Sequence, residues 1–463
     1  MRVLFLVHDF LPAHPAGTEL YTGGVARALA ARGHAVAVFA TEKDIAREHL
    51  SSTRRSWEGI AVHELVNNLF YEDFRATWDW PPAAAAFARV LDEFRPDVVH
   101  AMHLLYLSVG CLEEAARRQI PVFFTLHDFW LSCARFGQRL HPDGGLCATV
   151  DFARCGTCLA SFKFAQSPLE RRVAGVVAGV KGATGVDLSG PLRAAGDMLR
   201  GKSAGAAAVE PELAQRFAVL ARERSEALLT RVVPCVERFF APSEFLRARM
   251  LEWGLPAEKV ERLAYGLELA PFAGFARRPA DVLRVAFVGT LAPHKAPHLV
   301  LEALAELPEE LRRRVRVTLH GPKTHFPEYV AALERRAAEL GAHMPGTLAR
   351  TELAAALADT DVLVVPSVWY ENSPFTIHEA LATRTAVLVS DLGGMAELVS
   401  EGRHGWRFPP GDARALAAHL ARLARDRSPL AALDFPGTVK DFATSAAELE
   451  QRYEVARAAR RRA

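Results

Sequence analysis

The chain has 463 residues, of which 50% are hydrophobic and 24% are charged. Its 56 basic residues nearly balance its 54 acidic residues, so the formal net charge is only +2. The hydrophobic content excludes a disordered chain, and the neutral balance excludes a protein that binds nucleic acid through overall charge. The length predicts two large domains or about three ordinary ones.

The N-terminal sequence does not resemble a secretion signal. The apolar start at Val3–Val7 is interrupted by His8 and Asp9, too early for the hydrophobic segment of a signal peptide. The most apolar stretch, residues 173–186, contains Lys181 and falls short of the ~18 to 20 apolar residues that cross a bilayer. Six cysteines without an export signal indicate a reducing compartment. We therefore expect a cytoplasmic protein that can work at the inner face of the membrane.

In chain order, the N-terminal half alternates strand-like and helix-like segments. A helical pattern through Val25 and Leu29 to Gly33 separates the first two predicted strands, and an amphipathic segment around Leu112 separates the next two. This order is typical of βαβ units. Between residues 160 and 230 the strand rhythm disappears, which predicts a helical insertion. The four predicted strands are Arg2–Val7, Ala35–Ala40, Asp97–His100 and Pro121–His127.

A second series of strands and helices follows. The sequence predicts an α/β fold with two Rossmann-like, doubly wound domains facing across a cleft, at residues 1–240 and 241–435. We expect residues 436–463 to form a C-terminal helix that crosses back to the first domain. Parallel sheets bind ligands at the carboxyl ends of their strands, often between domains. The predicted strands of the second half are Arg238–Ala241, Val260–Tyr265, Arg284–Gly289, Arg316–Gly321, Asp361–Pro366, Ala386–Ser390 and Trp406–Pro409.

The segment Glu371–Glu379 follows one of these strands and leads into a helix. Asn372, Ser373 and Pro374 are typical of a helix start, whose free N–H groups bind hydroxyl or phosphate oxygens. Two turns later, an ionised Glu379 can accept hydrogen bonds from vicinal hydroxyls such as those of a ribose. Either glutamate alone is more simply explained as a cap or a surface charge, but the pair in this context favours a ligand site.

This segment resembles the family 4 glycosyltransferases, retaining enzymes of the GT-B fold that move a sugar from a nucleoside diphosphate to an acceptor. The resemblance covers nearly the whole chain. It implies that Glu371 lies beside the transferred sugar as a catalytic residue and that Glu379 binds the ribose. The residues between them would complete the donor site: Asn372, Ser373, Pro374, Phe375 and Thr376.

Two further loops match the same family. Gly289 to Lys295 resembles a glycine-initiated loop whose lysine neutralises the donor diphosphate, which assigns that role to Lys295. Many relatives carry an arginine directly after the glycine, where this chain has Thr290. Near the N-terminus, Gly17 and Thr18 resemble the family's glycine loop and are also assigned to the donor.

The histidines that end two predicted strands complete the predicted site. His127 resembles the family histidine that reaches the sugar or the forming bond, and Asp128 either orients it or faces the acceptor. His103, and more loosely His100, would line the acceptor side. A satisfied histidine at a strand end is the alternative. Gly393 to Glu397 resembles a loop beside the donor, with Glu397 expected to open a helix.

Four cysteines cluster directly after His127 and Asp128: Cys133, Cys147, Cys155 and Cys158. Four thiolates suit a structural zinc ion. An iron–sulfur cluster would use the same ligands, and two disulfides or four free thiols are the other readings. The transfer chemistry itself requires no metal.

The helical insertion is basic. Residues 160–205 carry a surplus of four positive charges, which suits contact with an anionic membrane and a lipid-linked acceptor, although a solvated insert fits equally well. The predicted function is therefore retaining transfer of a hexose or related sugar from a nucleotide-sugar donor, without a nucleic-acid partner. The expected acceptor is a glycan or lipid-linked glycan of cell-envelope polysaccharide synthesis. The alternatives are a catalytically idle binding subunit and a nucleotide-sugar epimerase or hydrolase.

Overall fold

The protein was analysed as a computed structural model that describes residues 1–164, 167–185, 209–273, 278–435 and 439–462. The chain divides into two compact units. The first contains residues 1–241, 249–261 and 446–463, and the second contains residues 242–248 and 262–445. Each unit is built on its own sheet, which confirms the predicted α/β class with two Rossmann-like sheets.

The first unit is built on a sheet of eight strands in the order β3-β4-β2-β1-β5-β6-β7-β8. β1 is central, and five of its six residues are buried. β2, β1, β5, β6 and β7 run parallel, whereas β3 pairs antiparallel with β4 as an edge hairpin. The strands are β1 (Arg2–Val7), β2 (Ala35–Glu42), β3 (Ser52–Trp57), β4 (Ile60–Val66), β5 (Val98–Ala101), β6 (Val122–Thr125), β7 (Val236–Ala241) and β8 (Val260–Arg262).

Helices connect these strands and form the predicted insertion. Helix 168–184 of this insertion starts with a capping box at Ser167 and Glu170 and ends at Gly185 in the left-handed conformation. The part of the predicted insertion from residue 186 to 208 lies outside the described residues. The helices are Gly17–Ala31, Pro81–Phe94, Gly110–Arg117, Phe152–Ala160, Pro168–Thr184, Pro211–Ala227, Val233–Cys235 and Glu244–Trp253.

The second unit has a parallel sheet of six strands in the order β12-β11-β10-β13-β14-β15, and a short β9–β16 pair. Its strands are β9 (Gly266–Leu267), β10 (Leu283–Val288), β11 (Val315–His320), β12 (His343–Gly346), β13 (Val362–Val365), β14 (Ala386–Ser390), β15 (Gly405–Phe408) and β16 (Lys440–Asp441). Its helices are His298–Glu306, Glu309–Arg312, Pro327–Leu340, Leu353–Ala358, Phe375–Ala382, Gly393–Leu398, Ala413–Arg425 and Ser428–Ala431.

Alternate residues of these central strands enter two different hydrophobic cores. Val362 and Val364 of β13 belong to one core, with helices 298–306, 327–340 and 413–425. Leu363 and Val365 belong to the other, with helices 375–382 and 393–398. A sheet covered on both faces requires continuous apolar strands, which is why these strands were recognisable in the sequence.

The C-terminal helix spans Phe442–Arg462, within the predicted residues 436–463. Its residues from 446 onward cluster with the first unit, where Leu449 and Tyr453 are fully buried. Across the described ranges, no helix combines the length and apolar character that crossing a bilayer requires.

Candidate functional site

In the second unit, the loop from Glu371 to Pro374 leads from β13 into helix 375–382. Pro374 is the N-cap residue, with a φ of −61° that suits the entry to a helix. Ile377, Ala380 and Leu381 bury one face of this helix in the core. Its N-terminus, which leaves backbone N–H groups without helical partners, therefore follows directly on the loop that carries Glu371.

Lys295 and Glu371, predicted to serve the same donor, are in direct contact. Glu371 Oε1 accepts hydrogen bonds from Lys295 Nζ, from Trp369 Nε1 at 2.9 Å and from Ser367 Oγ at 3.0 Å. Burial alone would raise the pKa of Glu371, but Lys295 and these hydrogen bonds outweigh it and hold the pKa below its usual value. Glu371 is thus a buried, ionised carboxylate.

Lys295 reaches this position from the short turn Pro293–Lys295 after β10. Its ammonium lies 5.2 Å from the centre of the Trp369 ring, a cation–π distance. The backbone N–H of Val368 donates to His294 O at 2.9 Å and ties the two loops together. Thr290, which replaces the arginine of many relatives, is half-buried in the same loop.

Gly393 and Gly394 pack closely against the backbone of the Glu371 loop. The Gly394 N–H donates to Glu371 O at 2.8 Å, and a Cβ on Gly394 would lie 1.7 Å from Asn372 O. Only glycine allows this approach. The expectation for Glu397 was wrong, because the helix begins at Gly393 and Glu397 lies near its end. The Glu397 carboxylate instead accepts the Glu244 N–H at 2.8 Å.

Glu379 is buried and contacts Arg350, a residue that the sequence analysis did not identify. Arg350 Nη1 donates to Glu379 Oε1. Burial raises the pKa of Glu379, and the charge and hydrogen bond of Arg350 oppose that rise. The two residues lie on different elements with no motif linking them, so the sequence carried no signal for their contact.

The other predicted residues of this segment line the same loop and first helical turn. Ser373 Oγ lies 2.7 Å from His378 Nε2, and Phe375 stacks on Tyr265 with 5.5 Å between ring centres. Asn372 is buried, while Pro374 and Thr376 are partly exposed. The structure therefore brings together Lys295 and the predicted donor residues of positions 371–379 in the second unit.

In the first unit, predicted residues gather at the carboxyl ends of β5 and β6. His103 Nδ1 accepts the Leu105 N–H at 2.9 Å, which places the ring hydrogen on Nε2. Nε2 then donates to Asp128 Oδ2 at 3.0 Å, and Asp128 Oδ1 accepts the Trp130 N–H at 2.7 Å. Asp128 is partly exposed, so this oriented carboxyl group can meet a ligand hydroxyl.

His127 packs edge-on against Tyr21, with 5.5 Å between ring centres. Burial, with smaller contributions from His103 and His100, lowers the pKa of His127 well below its usual value. The imidazole is therefore neutral at physiological pH.

Gly17 and Thr18 lie in the first turn of helix 17–31 rather than in a preceding loop. The next residue, Glu19, is buried, and its Oε1 lies 3.4 Å from His8 Nε2. Burial raises the pKa of Glu19 to about 7. Neither His8 nor Glu19 was predicted to have a role, although His8 directly follows the first predicted strand and Glu19 directly follows Gly17 and Thr18.

The expectation that His100 lines the acceptor side was wrong. His100 is fully buried, with Nε2 2.8 Å from Thr125 Oγ1 and Nδ1 hydrogen-bonded to the Tyr453 hydroxyl. Burial lowers its pKa to about 3. His100 is therefore a core residue that contacts the C-terminal helix.

The four clustered cysteines, Cys133, Cys147, Cys155 and Cys158, line one cavity with Arg135, Arg139 and Arg154. All six cysteines of the chain are free thiols, so the disulfide alternative does not describe this structure. Within the described ranges, no three cysteine, histidine or acidic side chains converge closely enough to hold a metal ion.

Solved structures match this chain over nearly its full length. The Anabaena protein Alr3699/HepE, crystallised with UDP and glucose, aligns with a TM-score of 0.61 and 18% identity over 98% of this chain and 100% of that one. Sucrose-phosphate synthase from Thermosynechococcus elongatus aligns with a TM-score of 0.61 and 18% identity, covering 99% and 100%. These likenesses establish the GT-B fold.

Sequence relatives match over shorter stretches. WcaL of Escherichia coli, named for colanic acid biosynthesis, is 30% identical over 190 residues, 40% of this chain and 46% of WcaL. The D-inositol 3-phosphate glycosyltransferase of Thermobispora bispora is 32% identical over 220 residues, 44% of this chain and 51% of that protein. AmsK of Erwinia amylovora, named for amylovoran biosynthesis, is 28% identical over 202 residues, 41% and 49% of the two chains. The matched region thus spans about half the length of these relatives.

Two family models match separate parts of the chain. "Glycosyl transferases group 1" covers residues 275–434, which include Lys295, Arg350 and the segment 371–379. "Glycosyltransferase Family 4" covers residues 15–151, which include Gly17, His103 and His127. Together the two matches cover more than half of the sequence, and the chain belongs to the family 4 (group 1) glycosyltransferases.

Proposed function

We propose that this protein transfers a hexose or related sugar from a nucleoside diphosphate donor to a hydroxyl group, with retention of the anomeric configuration. The observation that carries the proposal is the direct contact between Lys295 and the buried, ionised Glu371, at the loop that leads into helix 375–382. A fixed cation, a carboxylate and a helix N-terminus are the groups that a nucleotide-sugar donor requires.

Each group has a distinct chemical task. When the glycosidic bond to the diphosphate breaks, negative charge develops on the phosphate oxygens, and the Lys295 ammonium with the helix N–H groups stabilises that charge. Positive charge develops on the sugar, and the ionised Glu371 favours it. Since Glu371 already accepts three hydrogen bonds on Oε1, it acts as an acceptor for the sugar and not as a proton donor.

The first unit supplies the groups suited to the incoming hydroxyl. Asp128, oriented by His103, can accept a hydrogen bond from a hydroxyl, and the neutral His127 can donate or accept one. The family resemblance supports retention, which needs no protein nucleophile. NMR analysis of the anomeric proton in the product tests it directly.

The first prediction is that Glu371→Gln abolishes transfer while leaving nucleoside diphosphate binding measurable. The amide is nearly isosteric but has no charge, so it keeps the loop but cannot stabilise the positive sugar. Binding of UDP, GDP and ADP is measured by calorimetry, and transfer by release of the diphosphate from the matching sugar nucleotides. Glu339→Gln, an exposed glutamate of the same unit, is the control.

An active Glu371→Gln variant would remove Glu371 from the mechanism. A protein that binds a nucleoside diphosphate but transfers no sugar to any acceptor would instead be an idle binding subunit. Release of free sugar without an acceptor requirement would indicate a hydrolase.

For the acceptor we propose a glycan or lipid-linked glycan of an envelope polysaccharide. The names of WcaL and AmsK, which refer to colanic acid and amylovoran biosynthesis, support this choice. Helix 168–184 also exposes Leu169, Val173 and Val176 on one face beside Arg172, which suits peripheral contact with an anionic membrane. The rest of the basic region, from residue 186 to 205, lies outside the described residues.

The structural zinc ion stays a prediction. The shared cavity of the four thiols supports it, whereas the described side chains form no ligand set around a metal. Metal analysis of protein purified without added ions tests it: about one zinc per chain, lost in Cys155→Ser, is the expected result. A metal-free, fully folded protein would contradict it.

A further inference from the structure

Glu379 is the most deeply buried carboxylate of the donor segment, and one cation serves it. Arg350 extends from the loop after β12 and donates to Glu379 Oε1. The Arg350 side chain is itself 45% exposed. In the described part of the chain, Glu379 Oε2 receives no hydrogen bond, so one oxygen is engaged and the other remains available.

No other charged group competes with Arg350 at this carboxylate in the described ranges. The strands that helix 375–382 contacts most, β9, β13 and β14, carry no ionisable side chain, and Arg350 is the charged group that acts on the pKa of Glu379. The remaining titratable residue of that helix, His378, is hydrogen-bonded to Ser373, and burial lowers its pKa to about 4. His378 is therefore uncharged at neutral pH.

A carboxylate so deeply buried ionises only when a cation compensates it. Burial raises the pKa of Glu379, and Arg350 opposes the rise through its charge and its hydrogen bond. The protonation state matters, because a protonated carboxyl group loses part of its capacity to accept hydrogen bonds from two neighbouring hydroxyls.

The pair repeats the arrangement at Glu371. Lys295 engages Oε1 of Glu371, and Arg350 engages Oε1 of Glu379. Each glutamate therefore has its own cation. Arg350 provides a second cation to the segment from a loop outside the recognised motifs.

We propose that Arg350 is a positioning residue of the donor site, which holds Glu379 as a carboxylate through Oε1 and leaves Oε2 to the vicinal hydroxyls of the nucleotide ribose. This inference rests on the proposed function, in which Glu379 meets the ribose. Arg350 itself need not touch the nucleotide, and ribose binding does not require it to leave Glu379.

The test measures the affinity of the full chain for UDP, GDP and ADP by calorimetry between pH 7 and pH 9, and continues with the nucleotide that binds. Arg350→Ala should weaken binding at least tenfold at pH 7. The ratio of its dissociation constant to that of the unaltered protein should fall as the pH rises, because Glu379 then ionises without help. Arg350→Lys should restore most of the affinity. The ratio of its dissociation constant to that of the unaltered protein should not change with pH.

Two controls separate this role from a general effect of losing an arginine. Arg336 is 46% exposed and pairs with Glu339 at 2.7 Å on the surface of the same unit, so Arg336→Ala should leave the affinity unchanged. In a Glu379→Gln background, where no charge remains to be stabilised, Arg350→Ala should have little further effect. Thermal melting verifies that each variant is folded.

Three results would overturn the inference. Arg350→Ala binding as tightly as the unaltered protein would show that Glu379 needs no cation, and tighter binding would show that Arg350 blocks the ribose. If the ratio of the dissociation constants of Arg350→Ala and the unaltered protein stayed constant from pH 7 to pH 9, Arg350 would not act through the ionisation of Glu379. If the unaltered protein bound none of the three nucleotides, the proposed function would fail first, and the role of Arg350 with it.

Discussion

At the scale of single residues, each of the two units contains a buried acid, and the surroundings of these two acids differ sharply. Glu371 has a cation and two further donors on one oxygen, and its pKa lies below the usual value. Glu19, in the other unit, has its Oε1 3.4 Å from His8 Nε2, and burial raises its pKa to about 7. One acid is therefore held charged, and the other holds its proton near neutrality.

Glu19→Gln should stabilise the protein more at pH 8 than at pH 5. In the unfolded chain Glu19 titrates near 4.5, and in the folded protein near 7. Between these values only the folded protein holds the proton, so the contribution of Glu19 to stability is present at low pH and is lost as the pH rises. The neutral amide has no such dependence.

The difference in free energy of unfolding between this variant and the unaltered protein should grow by about 2 to 3 kcal/mol from pH 5 to pH 8. Urea unfolding at the two pH values measures it. Glu339→Gln, on the surface, should show no such growth. A difference that stays constant with pH would mean that Glu19 is already ionised in the folded protein.

The functional residues were predictable from the sequence only where they belong to a recognisable motif. Lys295 and Glu371 each follow a buried strand of one parallel sheet, and strand ends of such a sheet meet at one edge. Arg350 follows a short strand without an apolar pattern, so nothing in the sequence placed it beside Glu379. His100 was misassigned because a strand-end position does not reveal which element will cover it.

At the scale of elements, the loop that carries Glu371 depends on the turn behind it. Gly393 has a φ of +60°, in the left-handed region, and Gly394 approaches the backbone of Asn372 too closely for any side chain. The hydrogen bond from the Gly394 N–H to Glu371 O then fixes the position of the loop. The short helix 393–398 is thus a support for the donor segment.

Gly394→Ala should lower the affinity for the nucleoside diphosphate, because the new Cβ would overlap Asn372 O and displace the loop. Gly175→Ala is the matched control, since a Cβ there meets nothing within 4 Å, and alanine in a helix interior stabilises by up to about 1 kcal/mol. Calorimetric titration and melting temperatures measure both. Unchanged affinity in Gly394→Ala would show that the loop tolerates the shift.

The elements themselves were predicted unevenly, for a physical reason. Strands covered on both faces, such as β10 and β14, are continuous apolar runs and were recognised. The edge strand β3 is polar and mostly exposed, so its hairpin with β4 was missed. β12 contains a proline and a glycine and was missed as well.

At the scale of the whole molecule, the C-terminal helix belongs to the unit that the N-terminal residues build. The Tyr453 hydroxyl bonds His100, Arg457 pairs with Asp97 at 2.7 Å, and Glu450 lies 2.8 Å from His34. These contacts join residues more than 350 positions apart in the sequence, so the first unit needs the last helix for its packing.

Leu449→Ala should destabilise the first unit by about 2 to 5 kcal/mol, because it leaves a cavity under the helix. Val455→Ala, on the same helix but 67% exposed, should have almost no effect. Urea unfolding of both variants measures the contrast. Equal stability of the two would indicate that the helix contributes little to the packing of the N-terminal sheet.

The place of this helix in the chain also sets the order in which the protein can be made. A ribosome releases residues 262–445, enough to complete the second unit, before it releases the residues that cover His100 and its strand. Domains generally fold as units during synthesis, N-terminal ones first, but here the N-terminal sheet must wait, with apolar surface uncovered, until the helix Phe442–Arg462 has also been made. This interval is where chaperone binding or aggregation of the nascent polypeptide should concentrate.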